Sequence, residues 1–398
     1  LLIFVHLRSI HIRHLMRHCN PYFLLFSAAC LFLNSSCKNK LRSDFKLQDV
    51  IRIGEVQTLT GPEAGIGLAI HEGIELAIQE LNSTGGIQGK PLELLTLDDQ
   101  GKGEEAAAAA TKLITHHHVS ALLGASASSR SRVVADVAQG NKIPMITPTS
   151  THPEITTVGN YVFRICFIDS FQGKVMADFA LKKLEARRLA ILRDIKSDYS
   201  VGLAEYFTKR IQEAGGEVVL QQNYSSGDVD FKSQLTAIRA KSPSAIFIPG
   251  YYTDVALIAR QARELGIQSP LLGGDGWASP KLLEIAGQSI NNSYYSSHYS
   301  SDDPSQFIQT FVSHFKNKFH SVPNGLSALG YDSAGVMIAA MKQTSNLLPK
   351  EIQESLTKTH NYNGITGRIT IDLNRNAIKS AVILKVEHGQ FKTFLKTE

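Results

Sequence analysis

The sequence predicts an α/β protein of two Rossmann-like lobes, each built on a parallel sheet and joined by a hinge. Three observations carry this. From Ile51 onward, short β-branched or apolar runs alternate with helical patterns across brief turns bearing Gly, Ser, Thr or Asp, as βαβ units do. The βα units are too many for one open sheet of ordinary size. A near break falls around Arg164 to Gln172, where one series ends and a second begins. The chain has 398 residues, 43% apolar and 19% charged, which suits two globular cores rather than a disordered chain or a bundle of membrane spans.

The predicted strands, in order, are IRIGEVQ, LELLTLDD, VSALLGAS, IPMITPTS, YVFRICF, RLAILRDI, EVVLQQNY, AIFIPGYY, PLLGGDGW, GRITIDL and SAVILKVEHG. Between them, Ala64 to Asn82 carries Ile66, Ile70, Ile74, Ile78 and Leu81 at helical spacing, and Gly85-Gly86 ends it. GEEAAAAATKLI, SSRSRVVADVAQ, FQGKVMADFALKKL, SVGLAEYFTKRIQEAGG, DFKSQLTAIRAK and DVALIARQARELG are each amphipathic over roughly three turns.

The first 37 residues differ from the rest. They hold Arg8, Arg13 and Arg17, no acid, and a 13-residue apolar run from Pro21 to Leu33. A helix needs roughly 20 residues to cross a bilayer core, whereas a basic start and a shorter apolar stretch make an export signal. Residues 1–37 are therefore read as a signal peptide, with Met16 as the expected start. Its end, Asn34-Ser35-Ser36-Cys37, resembles the lipobox of bacterial lipoproteins and makes Cys37 the expected lipidation site. Cys30, after Ser-Ala-Ala, is the competing site, and cleavage without lipidation is the plain alternative. With Cys37 either acylated or removed, cleavage leaves Cys166 as the only free thiol, so no disulfide forms within the mature chain. It also removes three arginines, lowering the formal charge from +5 to about +2, which gives no reason to expect nucleic acid.

In open α/β sheets ligands bind beyond the carboxyl ends of the strands, so the loops there are the ones to inspect. After VSALLG, Ala125 to Ser129 brings hydroxyls to the start of a helix, where free N–H groups and the dipole favour an anion. After IPMIT, Thr149, Ser150 and Thr151 form a second cluster of small donors. Helix capping explains either cluster taken alone; two on neighbouring loops point to a ligand carboxylate. In the second half, Tyr199, Tyr251 and Tyr252 offer aromatic walls, and Asp275 in Gly-Gly-Asp-Gly offers one acid suited to an ammonium group. A turn composition accounts for Asp275 without a ligand; its place among the other loops favours function.

Other chemistries find little support. Gly65-Ile66-Gly67 continues with Ile70 at the third fingerprint position, too far from the strand for a dinucleotide turn. Consecutive His116, His117 and His118 point in different directions and lack companion ligands, so no metal and no cofactor is expected. The chain has no Gly-x-Ser-x-Gly elbow, HExxH or Walker loop, and no enzymatic activity is expected.

The blocks TLTGPEAGIG, NSTGGIQGKPLELLTLDDQG, LLGASASS, MITPTSTHPEIT, FRICFIDSFQG, DYSVGLAEYF, DFKSQLTAIRAKSPSAIFIPGYY and LLGGDGW occur in family order, and the mature chain resembles the leucine/isoleucine/valine-binding family of type I periplasmic binding proteins. The resemblance implies an amino-terminal lobe of residues 50–168 with about 298–376, and a carboxy-terminal lobe of 169–297 with about 377–398. It implies that Ser128, Thr149, Ser150, Thr151, Tyr199, Tyr251 and Asp275 hold an amino acid. Its implied partners are an ABC permease with its ATPase subunits, for a monomeric periplasmic receptor tied to the membrane by lipid. The alternative is a sensor on the same fold for amides, urea or aromatic acids. Two departures stand out: Ile66 where branched-chain binders often carry an aromatic residue, and no cysteine near the ligand serine at Asp99, Gln100, Gly101 or Ala127.

Overall fold

The computed structural model describes residues 50–397; the export segment and Cys37 lie outside the described residues. The first series runs β1 (Ile51–Gln57), α1 (Ala64–Ser83), β2 (Leu92–Asp98), α2 (Gly103–Thr115), β3 (Ala121–Gly124), α3 (Ser128–Asn141), β4 (Met145–Thr147) and β5 (Val162–Arg164). These strands form a five-stranded parallel sheet in the order β2-β1-β3-β4-β5. Alternation of side chains along β1 gives the sheet two dry faces. Ile51 and Ile53 pack with Ile70 and Ile74 of α1, whereas Val56 packs with Leu113 of α2 and Val134 of α3.

The second series runs α4 (Asp169–Lys182), β6 (Arg188–Asp194), α5 (Asp198–Glu213), β7 (Glu217–Tyr224), α6 (Lys232–Ala240), β8 (Ala245–Phe247), α7 (Tyr252–Glu264), β9 (Leu271–Gly273), α8 (Pro280–Ala286) and β10 (Ser293–Ser297). The chain then forms α9 (Gln306–Phe319), α10 (Gly325–Lys342) and α11 (Pro349–Leu356), followed by a small antiparallel sheet of β11 (Tyr362–Gly364), β12 (Gly367–Ile371) and β13 (Ala377–Ile378). It ends in β14 (Val382–Glu387) and β15 (Gln390–Lys396), antiparallel additions to a seven-stranded sheet ordered β15-β14-β10-β9-β8-β6-β7. The chain thus passes between the two large sheets three times: from β5 to α4, from β10 to α9, and from β13 to β14.

Two large sheets, each framed by helices, are what the alternation of patterns predicts. The strand SYYSS of β10 escapes that reading because three of its five residues are serines, yet all five are buried at the middle of the second sheet. Hydrogen bonds serve two of the three serines: Ser296 Oγ donates to Gln172 Oε1 at 2.7 Å and Ser297 Oγ to the Tyr299 carbonyl at 3.1 Å, whereas Ser293 Oγ has no partner among the described residues. The strand β15 was also unanticipated; it follows a two-residue turn, His388-Gly389, whose φ angles of 51° and 70° suit a tight hairpin.

Small residues decide how α10 lies on α1. A Cβ built on Gly73 would stand 2.0 Å from the Ser327 carbonyl oxygen, and one on Gly330 would stand 2.2 Å from that of Ile70. The two backbones therefore meet at a reciprocal glycine crossing that no side chain can enter. Gly330→Val should cost about 3 kcal/mol or more in urea unfolding, because a rigid backbone must move to admit it. An unchanged midpoint would show that the helices do not approach this closely.

Candidate functional site

The loops beyond the carboxyl ends of β3, β4, β6, β8 and β9 face one another across a seam between the sheets. They enclose a tight cavity of about 10 Å³. From the first lobe come Ser126 and Ser128, at the start of α3, and Thr149, after β4. From the second come Tyr199 in the first turn of α5, Tyr251 just before α7, and Asp275 with Gly276 in a 3-10 turn after β9. Ile66 and Leu326, in the first turns of α1 and α10, add apolar wall.

Five of the seven predicted site residues, Ser128, Thr149, Tyr199, Tyr251 and Asp275, line this cavity, and two do not. The Ser150 hydroxyl meets Ser131 Oγ at 2.6 Å, inside a buried network with Thr147 and the Ala125 carbonyl. Thr151 is fully buried, and its carbonyl accepts the Asp169 amide at 2.9 Å. Both residues shape the loop rather than face the cavity. Arg164, fully buried, fastens that loop by donating to the carbonyls of Ser150, His152 and Pro153 at 2.8–2.9 Å.

Hydrogen bonding defines what each lining group has left to offer. Ser128 Oγ accepts from the His152 amide at 3.3 Å, so its own proton is free to donate. The Thr149 hydroxyl donates to the Ser126 carbonyl at 2.8 Å, so its main-chain N–H is its free donor among the described residues. Tyr199 OH accepts from the Gly276 amide at 3.2 Å, its ring stacks on Tyr251 with centroids 5.3 Å apart, and burial, aided by Asp275, keeps its phenol protonated. Asp275 is buried. Its Oδ2 lies 3.1 Å from His298 Nε2, whereas Oδ1 has no partner among the described residues.

The sequence reading missed the groups behind the wall. Gln172 Oε1 accepts from the Asp275 amide at 2.8 Å as well as from Ser296. Leu326 is carried by a helix whose start is marked by Asn324, an N-cap accepting from the Leu326 and Ser327 amides at 2.9 and 3.0 Å. That cap signal was available in the sequence; the contacts of Gln172 and His298, 103 and 23 residues from Asp275, were not. His116 and His118 are exposed, and no cluster of three His, Cys, Asp or Glu side chains able to hold a metal occurs among the described residues. Cys166 is free and buried, with burial pushing its thiol up to about 12.

The lobes are shut over the cavity. Tyr252 OH donates to the Pro62 carbonyl at 2.9 Å, Thr253 Oγ1 donates to the same oxygen at 2.9 Å, and the Asp198 amide donates to Ser129 Oγ at 3.3 Å. Arg132 reaches Asp198 at 3.3 Å.

A closed two-lobed binding cavity between doubly wound sheets defines a solute-binding protein. The chain belongs to the periplasmic binding protein family, whose model matches residues 50–390. It is similar to the Leu/Ile/Val-binding protein homolog 3 of Brucella melitensis, 31% identical over 246 residues that span 62% of this chain and 66% of that relative, just under two thirds of its length. Its fold matches the leucine binding protein LivK of Thermotoga maritima with a TM-score of 0.84 at 38% identity, covering 87% of this chain and 98% of that one. It also matches the branched-chain amino acid transporter substrate binding protein LivJ of Streptococcus pneumoniae, solved with isoleucine, with a TM-score of 0.82 at 32% identity, covering 88% and 100%.

Burial raises the Asp169 carboxyl to about 8, with Thr151 opposing the shift and Asp275 adding to it. The folded protein then holds this proton through a range in which the unfolded chain, near 3.8, has lost it, so stability falls as pH rises toward 8. His298 has the opposite slope: burial lowers it from 6.5 to about 4, so its effect on stability lies below pH 6.5. Between pH 6.5 and 8, Asp169→Asn should therefore flatten the pH dependence of the thermal midpoint, with the gain over wild type growing as pH rises. Parallel curves for the two proteins would mean that Asp169 is ionised in the fold.

Proposed function

We propose that this protein is the extracytoplasmic substrate-binding component of an ABC transporter, which captures a branched-chain or related amino acid by lobe closure and delivers it to the permease. The observation that carries the reading is the bare Asp275 Oδ1 in the same buried cavity as the free Ser128 hydroxyl and the amino-terminal end of α3. A zwitterion complements both sides: its carboxylate meets Ser128 and the Thr149 amide, and its ammonium meets Asp275, with Tyr199 and Tyr251 as walls. An aromatic acid or urea brings no cation to Asp275, which is why the sensor reading for such ligands ranks second. The names of the Brucella and Thermotoga proteins agree with a leucine-type ligand. Ile66 and Leu326 supply an aliphatic surface for its side chain.

In this reading the carboxylate docks first on the open amino-terminal lobe. Rotation about the three crossings then brings the second lobe onto the ammonium, and the closed form is what the permease recognises. No bond is made or broken. The polypeptide acts in the periplasm, with the signal peptide at residues 1–37 and the lipid anchor at Cys37 supported by their sequence pattern.

A thermal-shift screen of the chain from Lys38 onward against all amino acids, short amides, urea and aromatic acids tests the function. A ligand at 100 times its Kd should add about 2.7 kcal/mol of stability. Silence across the panel for protein shown to be free of co-purified ligand would overturn the amino-acid reading. By calorimetry, Asp275→Ala should weaken L-leucine roughly hundredfold, about 2.7 kcal/mol, and leave an uncharged amide of similar shape far less affected. Equal losses for both would refute the ammonium contact. Labelling with palmitate in the native host should disappear in Cys37→Ala; persistent label would move the anchor to another cysteine.

A further inference from the structure

The imidazole of His298 lies on the second crossing between the sheets, one residue beyond β10. Its Nε2 is 3.1 Å from Asp275 Oδ2, and both side chains are at least 95% buried. Its ring stacks on Phe167, with centroids 3.6 Å apart and planes inclined by 22°. Phe167 belongs to the first crossing, so two of the three connections between the lobes grip this ring. The Nδ1 atom is buried and has no partner among the described residues.

These contacts determine the tautomer. An imidazolium must donate from both nitrogens, and a buried, charged N–H without an acceptor is costly. Neutral imidazole with its proton on Nδ1 would leave that donor unpaired and set two lone pairs, Nε2 and Oδ2, against each other. With Asp275 as a carboxylate, only the neutral form protonated on Nε2 satisfies the pair. The charged groups acting on the ring are Asp275, on one side, and Lys379, on the third crossing, whose positive charge further disfavours protonation. Burial holds His298 down to about 4, in the same direction.

We infer that His298 is the positioning residue for the ligand ammonium: its Nε2–H holds Asp275 Oδ2, aims the bare Oδ1 into the cavity, and leaves the carboxylate charge uncompensated. A lysine or arginine in its place would also hold the acid, but would cancel the charge that the cavity offers. The inference rests on the amino-acid reading above. Its consequence is that the acid is oriented from the hinge, so its direction is set by parts of the chain that move least when the lobes rotate.

The test begins with the wild-type chain from Lys38 onward and two probes, L-leucine and its des-amino analogue 4-methylpentanoate. If wild type does not bind leucine, the test is repeated with whichever amino acid and des-amino analogue the thermal-shift screen identifies; failure of every amino acid overturns the functional reading itself. With binding established, His298→Ala should weaken the amino acid about tenfold while changing the des-amino acid less than about threefold. His298→Gln, which can still donate an N–H, should recover most of the loss. In an Asp275→Asn background, His298→Ala should add little. Equal weakening of both probes, or full additivity with Asp275→Asn, would reduce His298 to packing and overturn the inference. A measurement on wild type does not depend on how the variants fold: long-range ¹H–¹⁵N spectra of the ligand-bound protein at pH 7 should show a neutral ring protonated on Nε2. A charged ring, or a proton on Nδ1, would overturn it.

Discussion

A carboxyl oxygen withdrawn from water without a hydrogen-bond donor is costly, and the closed protein contains one at Asp275 Oδ1, which has no partner among the described residues. The cations around the cleft are committed elsewhere. Arg130 pairs with Glu63 and donates to the Gly101 carbonyl at 3.4 Å, and Arg164 is spent on the carbonyls of the loop after β4. Arg132 faces Asp198 across the lobe rim. Each arginine supports a wall and none reaches the acid, so the cavity keeps an unpartnered Asp275 oxygen on one side and unpaired hydrogen-bond donors on the other.

The fold makes this possible by a rule of direction. Every parallel strand ends at the same seam, so residues far apart in sequence meet as loop tips: Ser128 after β3, Thr149 near β4, Tyr199 after β6, Tyr251 after β8 and Asp275 after β9. The three crossings run behind that seam. Phe167, His298 and Lys379 stand on the first, second and third of them, and the first two are stacked directly. Atoms close to an axis of rotation travel least when two bodies turn about it. The acid is thus referenced to the hinge, while the tyrosines and the donors of the opposite lobe arrive with the moving walls.

Much of this was legible in the sequence, and the illegible parts share a cause. Aliphatic strands such as IRIGEVQ and amphipathic helices such as Ala64–Ser83 announce themselves through periodicity, and placing the site at strand ends needs only the rule for parallel sheets. SYYSS carries no such signal, because buried serines in a strand look like loop residues until their hydrogen-bond partners are known. Ser150 and Thr149 show the same limit at finer grain. A cluster of hydroxyls identifies a polar loop, but which proton is free depends on acceptors such as the Ser126 carbonyl and on Ser131, contributed by neighbouring segments. His298 and Gln172 were invisible for that reason too.

The strength of closure can be weighed against the charge it buries. Tyr252 to Pro62, Thr253 to Pro62 and Asp198 to Ser129 are neutral hydrogen bonds worth roughly 1 kcal/mol each. The half-exposed Arg132–Asp198 pair adds roughly 0–1 kcal/mol. Together they come to about 3–4 kcal/mol, the same order as the penalty for sealing a bare carboxylate oxygen away from water. On the proposed reading, a ligand ammonium that meets Oδ1 gives that oxygen its missing partner and leaves the rim contacts to hold the lobes together.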